Sequence, residues 1–294
     1  MQFLLYLIIY PFIWIISILP FPVLYLLSDC VYFLVYRIFK YRKRVVRGNI
    51  ALALPHLSEK ERTVIEKKFY AHLCDLFLEM IKTLSISKKE IEKRYTFSNM
   101  EVYYELEKKE KSIALLCAHY ASYEWAVSMN YHIHFKGYGV YKKLANPYFD
   151  TLVRKIRSKF EGHLIDSKET IPTMAANFRN KTFSVYGLVS DQSPKLSTTH
   201  HWQKFMGIEV PVHTGGEMLA KKYDMNVIFL KTKKLKRGYY EASFEVLSDG
   251  NAKDFPNYEI TDNFLKLVEQ QIYDAPEFYL WTHKRWKHKR EHFQ

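Results

Sequence analysis

The chain has 294 residues, room for one large domain or two small ones, and its 44 Lys and Arg against 31 Asp and Glu leave a net charge of +13. That balance points to acidic partners and leaves nucleic acid, an anionic membrane and phosphorylated substrates open. Three cysteines, Cys30, Cys74 and Cys117, are odd in number and far apart, which excludes a disulfide scaffold and fits reduced thiols facing the cytosol.

From Gln2 through Ser28 there is no charged side chain. A helix of about 20 residues crosses a hydrocarbon core. Phe3–Leu19 is just long enough, although Pro11 lies inside it, and Pro20 and Pro22 then break the run. Val23–Phe39 is a second apolar stretch, interrupted by Asp29 and Arg37. The basic cluster Lys40–Arg47 follows, which places itself and everything after it in the cytoplasm and beside anionic headgroups. A cleaved signal peptide is disfavoured, because no Lys or Arg precedes the apolar core and no small-x-small site follows it. Residues 1–39 therefore read as a retained membrane anchor, either one span or a hairpin bent at Pro20–Pro22.

Residues 40–94 read as a helical, membrane-proximal segment. Ser58 and Glu61 form a capping box, and the helix it opens runs to about Leu84 with apolar residues recurring at three and four, from Val64 to Ile81. His72 and Cys74 read as ordinary side chains of that helix. A second short helix covers Lys88–Lys93.

From about Tyr95 strands and helices alternate. Strands are expected near Ile113–Cys117, Gly139–Lys142, Phe183–Ser190, Asn226–Lys231 and Tyr239–Val246. Helices are expected near Val102–Lys109, Tyr123–Tyr131, Pro147–Phe160, Thr170–Phe178, Gly216–Tyr223 and Thr261–Ile272. This alternation predicts an α/β fold, a mostly parallel sheet covered by helices, over residues 95–294, with 40–294 as one folded unit. Tyr239 onward reads as an antiparallel edge hairpin, and Lys231–Gly238 as a solvated basic turn.

The strand Ile113–Cys117 empties into His119, and Glu124 follows five residues later. Positions i and i+5 leave one another's helical face, so the two side chains meet only if the backbone turns between them. A strand, a loop carrying His119 and a helix whose first turn carries Glu124 would do this, at the strand ends where open α/β folds keep their sites. A carboxylate on one ring nitrogen leaves the other to take a proton from a hydroxyl. The plain alternative is a surface histidine and a helix-start glutamate.

Further blocks follow in order: Asn146-Pro147 running to Arg157; Ser190-Asp191-Gln192-Ser193-Pro194; Phe205-Met206-Gly207; His213-Thr214-Gly215; and Tyr279-Leu280-Trp281-Thr282-His283-Lys284-Arg285-Trp286-Lys287. Pro147 can open a helix with Asn146 at its cap, putting Arg157 about three turns along. Asp191, at a strand end, should face the same edge as His119 or close a local Asx turn. Thr214 either caps a helix or presents amides to an anion. His132, His134, His200, His201 and His213 have no companion at ligand spacing, so no metal site is expected.

The order and spacing of these blocks, over nearly the whole chain, resemble the bacterial lipid A late acyltransferases, a branch of the lysophospholipid acyltransferase superfamily. The resemblance implies a membrane-bound O-acyltransferase that moves a fatty acyl group from acyl carrier protein or coenzyme A to a hydroxyl of a phosphorylated, lipid A-like saccharide lipid. His119 is then the general base and Glu124 its partner. Arg157 binds phosphate or developing negative charge, and Asp191, Lys142 and Thr214 contact substrate. Lys142 and Lys143 stand where relatives carry a Tyr-Arg-like pair, a point charge in place of a fork. No metal or redox cofactor is implied. Partners are the acidic acyl donor, an anionic lipid acceptor and the bacterial inner membrane, with the catalytic domain facing the cytoplasm. The cations of the carboxy-terminal block, among them Arg285, Lys289 and Arg290, meet acidic partners or form a solvated tail. A lysophospholipid, aminolipid or glycolipid acyltransferase is the nearer alternative, and water in place of the acceptor would make a hydrolase. A membrane-tethered nucleic-acid binder is the alternative of another class; it leaves the histidine–carboxylate pair unexplained, and no nucleic-acid motif is present.

Overall fold

Nine strands form among the residues that the computed structural model describes, 2–288 and Arg290. In chain order they are β1 (Tyr95–Phe97), β2 (Ile113–Cys117), β3 (Lys136–Tyr141), β4 (His163–Asp166), β5 (Ser184–Val189), β6 (Trp202–Phe205), β7 (Ile208–Pro211), β8 (Asn226–Lys236) and β9 (Tyr239–Ser248). Seven of them make one sheet in the order β1-β9-β8-β2-β5-β3-β4, and all its pairings are parallel except β8 with β9. All five residues of β2 are buried, as a central strand covered on both faces requires. The α/β fold with a mostly parallel, helix-covered sheet is thus the one the alternation predicted.

The helices are α1 (Gln2–Ile18), α2 (Phe21–Tyr32, continued by a π-helical turn to Ile38), α3 (Lys43–Ala53), α4 (Glu59–Lys82), α5 (Lys88–Arg94), α6 (Met100–Glu107), α7 (Pro147–Arg157), α8 (Thr170–Arg179), α9 (Gly215–Lys222) and α10 (Glu259–Asp274). The capping box at Ser58 and Glu61 forms as its sequence dictates. Phe21–Ile38 is long and apolar enough to cross a membrane, and only 22% of it is buried, so it is no core helix. α1 is tied to α4 by Lys82, whose Nζ donates to the Ser17 and Leu19 carbonyls at 2.8 Å each, a cation on a helix C-terminus.

Several local expectations shift. Tyr123–Tyr131 is not an α-helix: Trp125–Tyr131 winds as a 3₁₀ segment, tighter because Trp125 and Ser128 are buried one 3₁₀ turn apart and the Asn130 amide caps the Val127 carbonyl at 2.6 Å. β9 is not an edge strand, since the three-residue β1 covers it. β8 runs on to Lys236, so the basic stretch is mostly strand and the turn is only Arg237-Gly238. Phe205-Met206-Gly207 is a hairpin corner between β6 and β7: Met206 and Gly207 both take positive φ (53° and 79°), as a two-residue type I′ turn demands.

The carboxy-terminal block packs inward. Trp281 and Arg285 are almost wholly buried and Arg290 pairs with Glu209 at 2.8 Å, while Lys284 and Lys287 remain exposed; Lys289 lies outside the described residues. α3 grips this block, with Asn49 Nδ2 donating to the carbonyls of Trp281 (2.8 Å) and His283 (2.6 Å) and Arg42 Nη1 to that of Thr282 (2.9 Å). Asn49→Ala strands the two buried carbonyls and should destabilise the fold by about 1–3 kcal/mol. A urea midpoint unchanged in the purified full chain would show that water replaces the amide.

Candidate functional site

β2 and β5 lie side by side in parallel with Cys117 opposite Val189. The ladder continues one step, the Ser190 amide donating to the Cys117 carbonyl at 3.1 Å. Two residues past each strand end stand His119 and Asp191, so register alone brings them together. Asp191 is buried, and its Oδ1 lies 2.7 Å from His119 Nδ1 while accepting the His119 backbone amide at 3.1 Å. Burial would raise the Asp191 pKa; the His119 charge and its hydrogen bonds outweigh that and hold the carboxyl below its ordinary value. An ionised Asp191 accepts a hydrogen bond from Nδ1–H, which leaves Nε2 as the basic nitrogen. The His119 side chain remains 21% exposed.

Glu124 goes elsewhere. After His119 the chain turns through Ala121 in the left-handed region (φ 48°), with the Ala121 amide on the Phe278 carbonyl at 2.9 Å. That turn carries Glu124 to Arg157 at the end of α7. Arg157 Nε donates to Glu124 Oε2 at 2.8 Å and Nη2 to Oε1, a fork-on-carboxylate pair with Glu124 buried. The expected contact between Glu124 and His119 is therefore replaced by two pairs, His119–Asp191 and Glu124–Arg157. Tyr123 joins them, its ring edge-on to His119 with centroids 5.1 Å apart. α7 itself starts as the sequence dictates, Asn146 Oδ1 accepting the Tyr148 and Phe149 amides and Pro147 opening the first turn.

The remaining sequence candidates are more scattered. Lys142 is exposed just beyond β3. Thr214 occupies the cap position of α9 without a capping hydrogen bond from its hydroxyl. His201 is held by Asp262 at 2.8 Å and His134 by Glu107 at 2.8 Å.

Four residues of the carboxy-terminal block, Tyr279, Leu280, His283 and Arg285, escaped the site reading. Leu280 donates its amide to the His119 carbonyl at 3.1 Å, and Tyr120 bridges Tyr279, so the carboxy-terminal block forms one wall of the site. Tyr279 lies buried against Asp191. Arg285, 1% exposed, donates from Nη1 to the Pro211 carbonyl (3.0 Å) and Ser193 Oγ (3.3 Å), and its guanidinium sits 5.0 Å over the Phe205 ring. Its buried positive charge favours the ionised form of Asp191. His283 Nε2 accepts the Ser193 amide at 3.4 Å; burial, with Arg285 and His119 nearby, pushes its pKa down to about 4 despite Asp191. The mixed aromatic and cationic block was visible in sequence, but nothing in it distinguished inward from outward cations.

Next to Tyr123 and Glu124 a cavity of about 140 Å³ opens between α4 and the carboxy-terminal block, walled by Leu73, Leu76, Phe77, Met80 and Leu280. Through Tyr123, Glu124 and Leu280 the apolar recess thus adjoins both polar pairs.

The profile of the bacterial lipid A biosynthesis acyltransferases matches residues 2–288. Lipid A biosynthesis lauroyltransferase of Escherichia coli (strain K12) is 25% identical over 281 residues, which cover 95% of this chain and 90% of that protein.

The depressed His283 gives a pH signature. The unfolded imidazole protonates near its ordinary value of about 6.5, whereas the folded one stays neutral down to about 4. The unfolded state then binds more protons across that window, so stability falls as pH is lowered through it. His283→Gln keeps an acceptor for the Ser193 amide and should flatten part of the slope. Identical differences in urea midpoint between about pH 4.5 and pH 7 for the two proteins would refute this.

Proposed function

The chain belongs to the bacterial lipid A biosynthesis acyltransferase family, and from that premise we propose that it is a membrane-held O-acyltransferase, carrying a fatty acyl group from an acyl carrier protein or coenzyme A thioester to a hydroxyl of a phosphorylated, lipid A-like saccharide lipid. The observation that carries this reading is His119 fixed through Nδ1 by a buried, ionised Asp191 beside an apolar recess. Nε2 takes the proton of the acceptor hydroxyl as its oxygen attacks the thioester carbonyl carbon. The tetrahedral oxyanion collapses, the C–S bond breaks, and the imidazolium returns its proton to the departing thiolate. Asp191 orients the ring and balances the imidazolium without taking the proton itself.

In this scheme Glu124 acts through Arg157. Two of the guanidinium's faces are occupied by the carboxylate, which leaves Nη1 for an acceptor phosphate or the oxyanion. The Leu73–Met80 side of α4 takes the acyl tail. Phe21–Ile38 and the basic cluster Lys40–Arg47 support attachment to the bacterial inner membrane with the site on the cytoplasmic side. The net charge of +13 suits an acidic carrier protein. The reaction as written uses no metal or redox cofactor.

His119→Ala should lower acyl transfer by about 10²–10⁴-fold, and Asp191→Asn should lose much of the same activity without the two losses adding. Near-normal turnover in a well-folded His119→Ala protein would end the general-base assignment; mass spectrometry of membrane lipids with and without the gene identifies the product. Arg157→Lys should remain impaired, because a point charge cannot fill both the Glu124 pair and a phosphate. Its penalty should shrink on an acceptor lacking that phosphate, and an equal penalty on both acceptors would move Arg157 to the oxyanion.

A further inference from the structure

β8 outruns its neighbour β2. Its pairing with β2 ends at Phe229, while its ladder with β9 continues to Lys236 opposite Tyr239. Because β8 runs parallel to β2, the overhang projects from the same edge as His119. Its tip is locked to α2. Arg237 Nη2 reaches Asp29 Oδ1 at 2.6 Å and the Tyr25 carbonyl at 3.3 Å, while Nε holds the buried Asp75 of α4. Arg94 donates to the Gly238 carbonyl at 3.2 Å with its guanidinium 3.3 Å over the Phe21 ring. Gly238 has φ 72°, and a Cβ there would stand 1.9 Å from the Tyr25 hydroxyl, so close approach of α2 requires glycine.

One residue earlier the character changes. Leu235 is 52% exposed, a lone apolar side chain among Lys233, Lys234, Lys236 and Arg237. Asp75 and Asp29 absorb the charge of Lys234 and Arg237. Lys233 and Lys236 are exposed and ion-pair with no carboxylate among the described residues. A carboxylate inside an apolar run is costly in a bilayer unless paired. The Asp29–Arg237 pair supplies that partner and holds the hairpin tip against α2, where Leu26 and Phe33 of the same helical run are exposed too.

We propose that the β8–β9 tip is a second membrane contact, with Leu235 entering the headgroup region and Lys233 and Lys236 binding the phosphates of anionic phospholipids. The carboxyl edge of the sheet, and His119 with it, is thereby held on the bilayer surface. Exposed leucine flanked by cations is the composition of an interfacial segment. The patch is continuous with the exposed apolar face of α2. The open recess that Leu235 borders is walled mainly by charged side chains, among them Asp29, Lys68, Lys236 and Glu277, which suits ionic headgroups better than the apolar hot spot of a protein partner. This proposal rests on the membrane attachment proposed above.

The test places a fluorophore at Leu235→Cys in the full chain with Cys30→Ser, the other two cysteines being buried. The labelled protein is reconstituted in lipid nanodiscs of phosphatidylcholine with or without phosphatidylglycerol. Headgroup-level spin-labelled lipids should quench the label, more in the anionic discs, and Lys233→Gln with Lys236→Gln should weaken that lipid contact on the order of ten-fold. A label as accessible to aqueous iodide in anionic discs as in detergent overturns the proposal. So does protection from iodide by an acidic acyl carrier protein but not by lipid, which would make the tip a protein-docking site. Failure of the intact chain to enter discs at all would overturn the anchor reading and this proposal together, a result distinct from an embedded protein whose tip stays in water.

Discussion

Parallel register between β2 and β5 is the constraint on which the site depends. With Cys117 opposite Val189, residues two beyond each strand end must face one another, so a histidine and an aspartate separated by 72 residues of chain become a 2.7 Å pair without any special loop. The desolvation that would neutralise Asp191 is opposed by the imidazole in front of it and by the buried Arg285 guanidinium nearby. Sheet geometry thus produces a polarised histidine at the carboxyl edge of β2.

The second pair divides the labour. A carboxylate shared between His119 and Arg157 would let either cation weaken its hold on the other. Two carboxylates, each with its own partner, keep the imidazole and the guanidinium independently fixed. Glu124 is buried at the Arg157 pair, and a buried fork–carboxylate contact resists substitution because either half alone is a buried uncompensated charge.

Sheet class, the central strand, the capping box, the helix opened at Pro147 and the position of His119 were all legible in the sequence, because each is set by local periodicity or a local cap. Glu124 was read correctly as a neighbour in sequence and misplaced as a neighbour in space. The turn at Ala121, a non-glycine at positive φ, gives no sequence signal. Asp191 was read at the right edge, yet its partner depended on register across two strands, which single-sequence patterning does not carry. The short strands β1 and β4 fell below the length at which alternation shows. Arg285 looked like one more surface cation; its burial follows from the packing of Trp281 and Trp286 around it, a tertiary matter.

The grip of α3 on the carboxy-terminal block has a consequence for how the protein comes into being. Asn49 and Trp281 are 232 residues apart, and Arg42 and Thr282 are 240 apart. Contacts of such sequence separation close late, because the entropy of bringing distant ends together must be met before they form. At ribosomal speeds of roughly 5–20 residues per second, more than ten seconds pass between the emergence of one partner and the other. Throughout that interval the histidine loop lacks the wall supplied by Tyr279 and Leu280. The site's geometry is therefore among the last things that synthesis completes, because the histidine loop and its carboxy-terminal wall lie far apart in sequence.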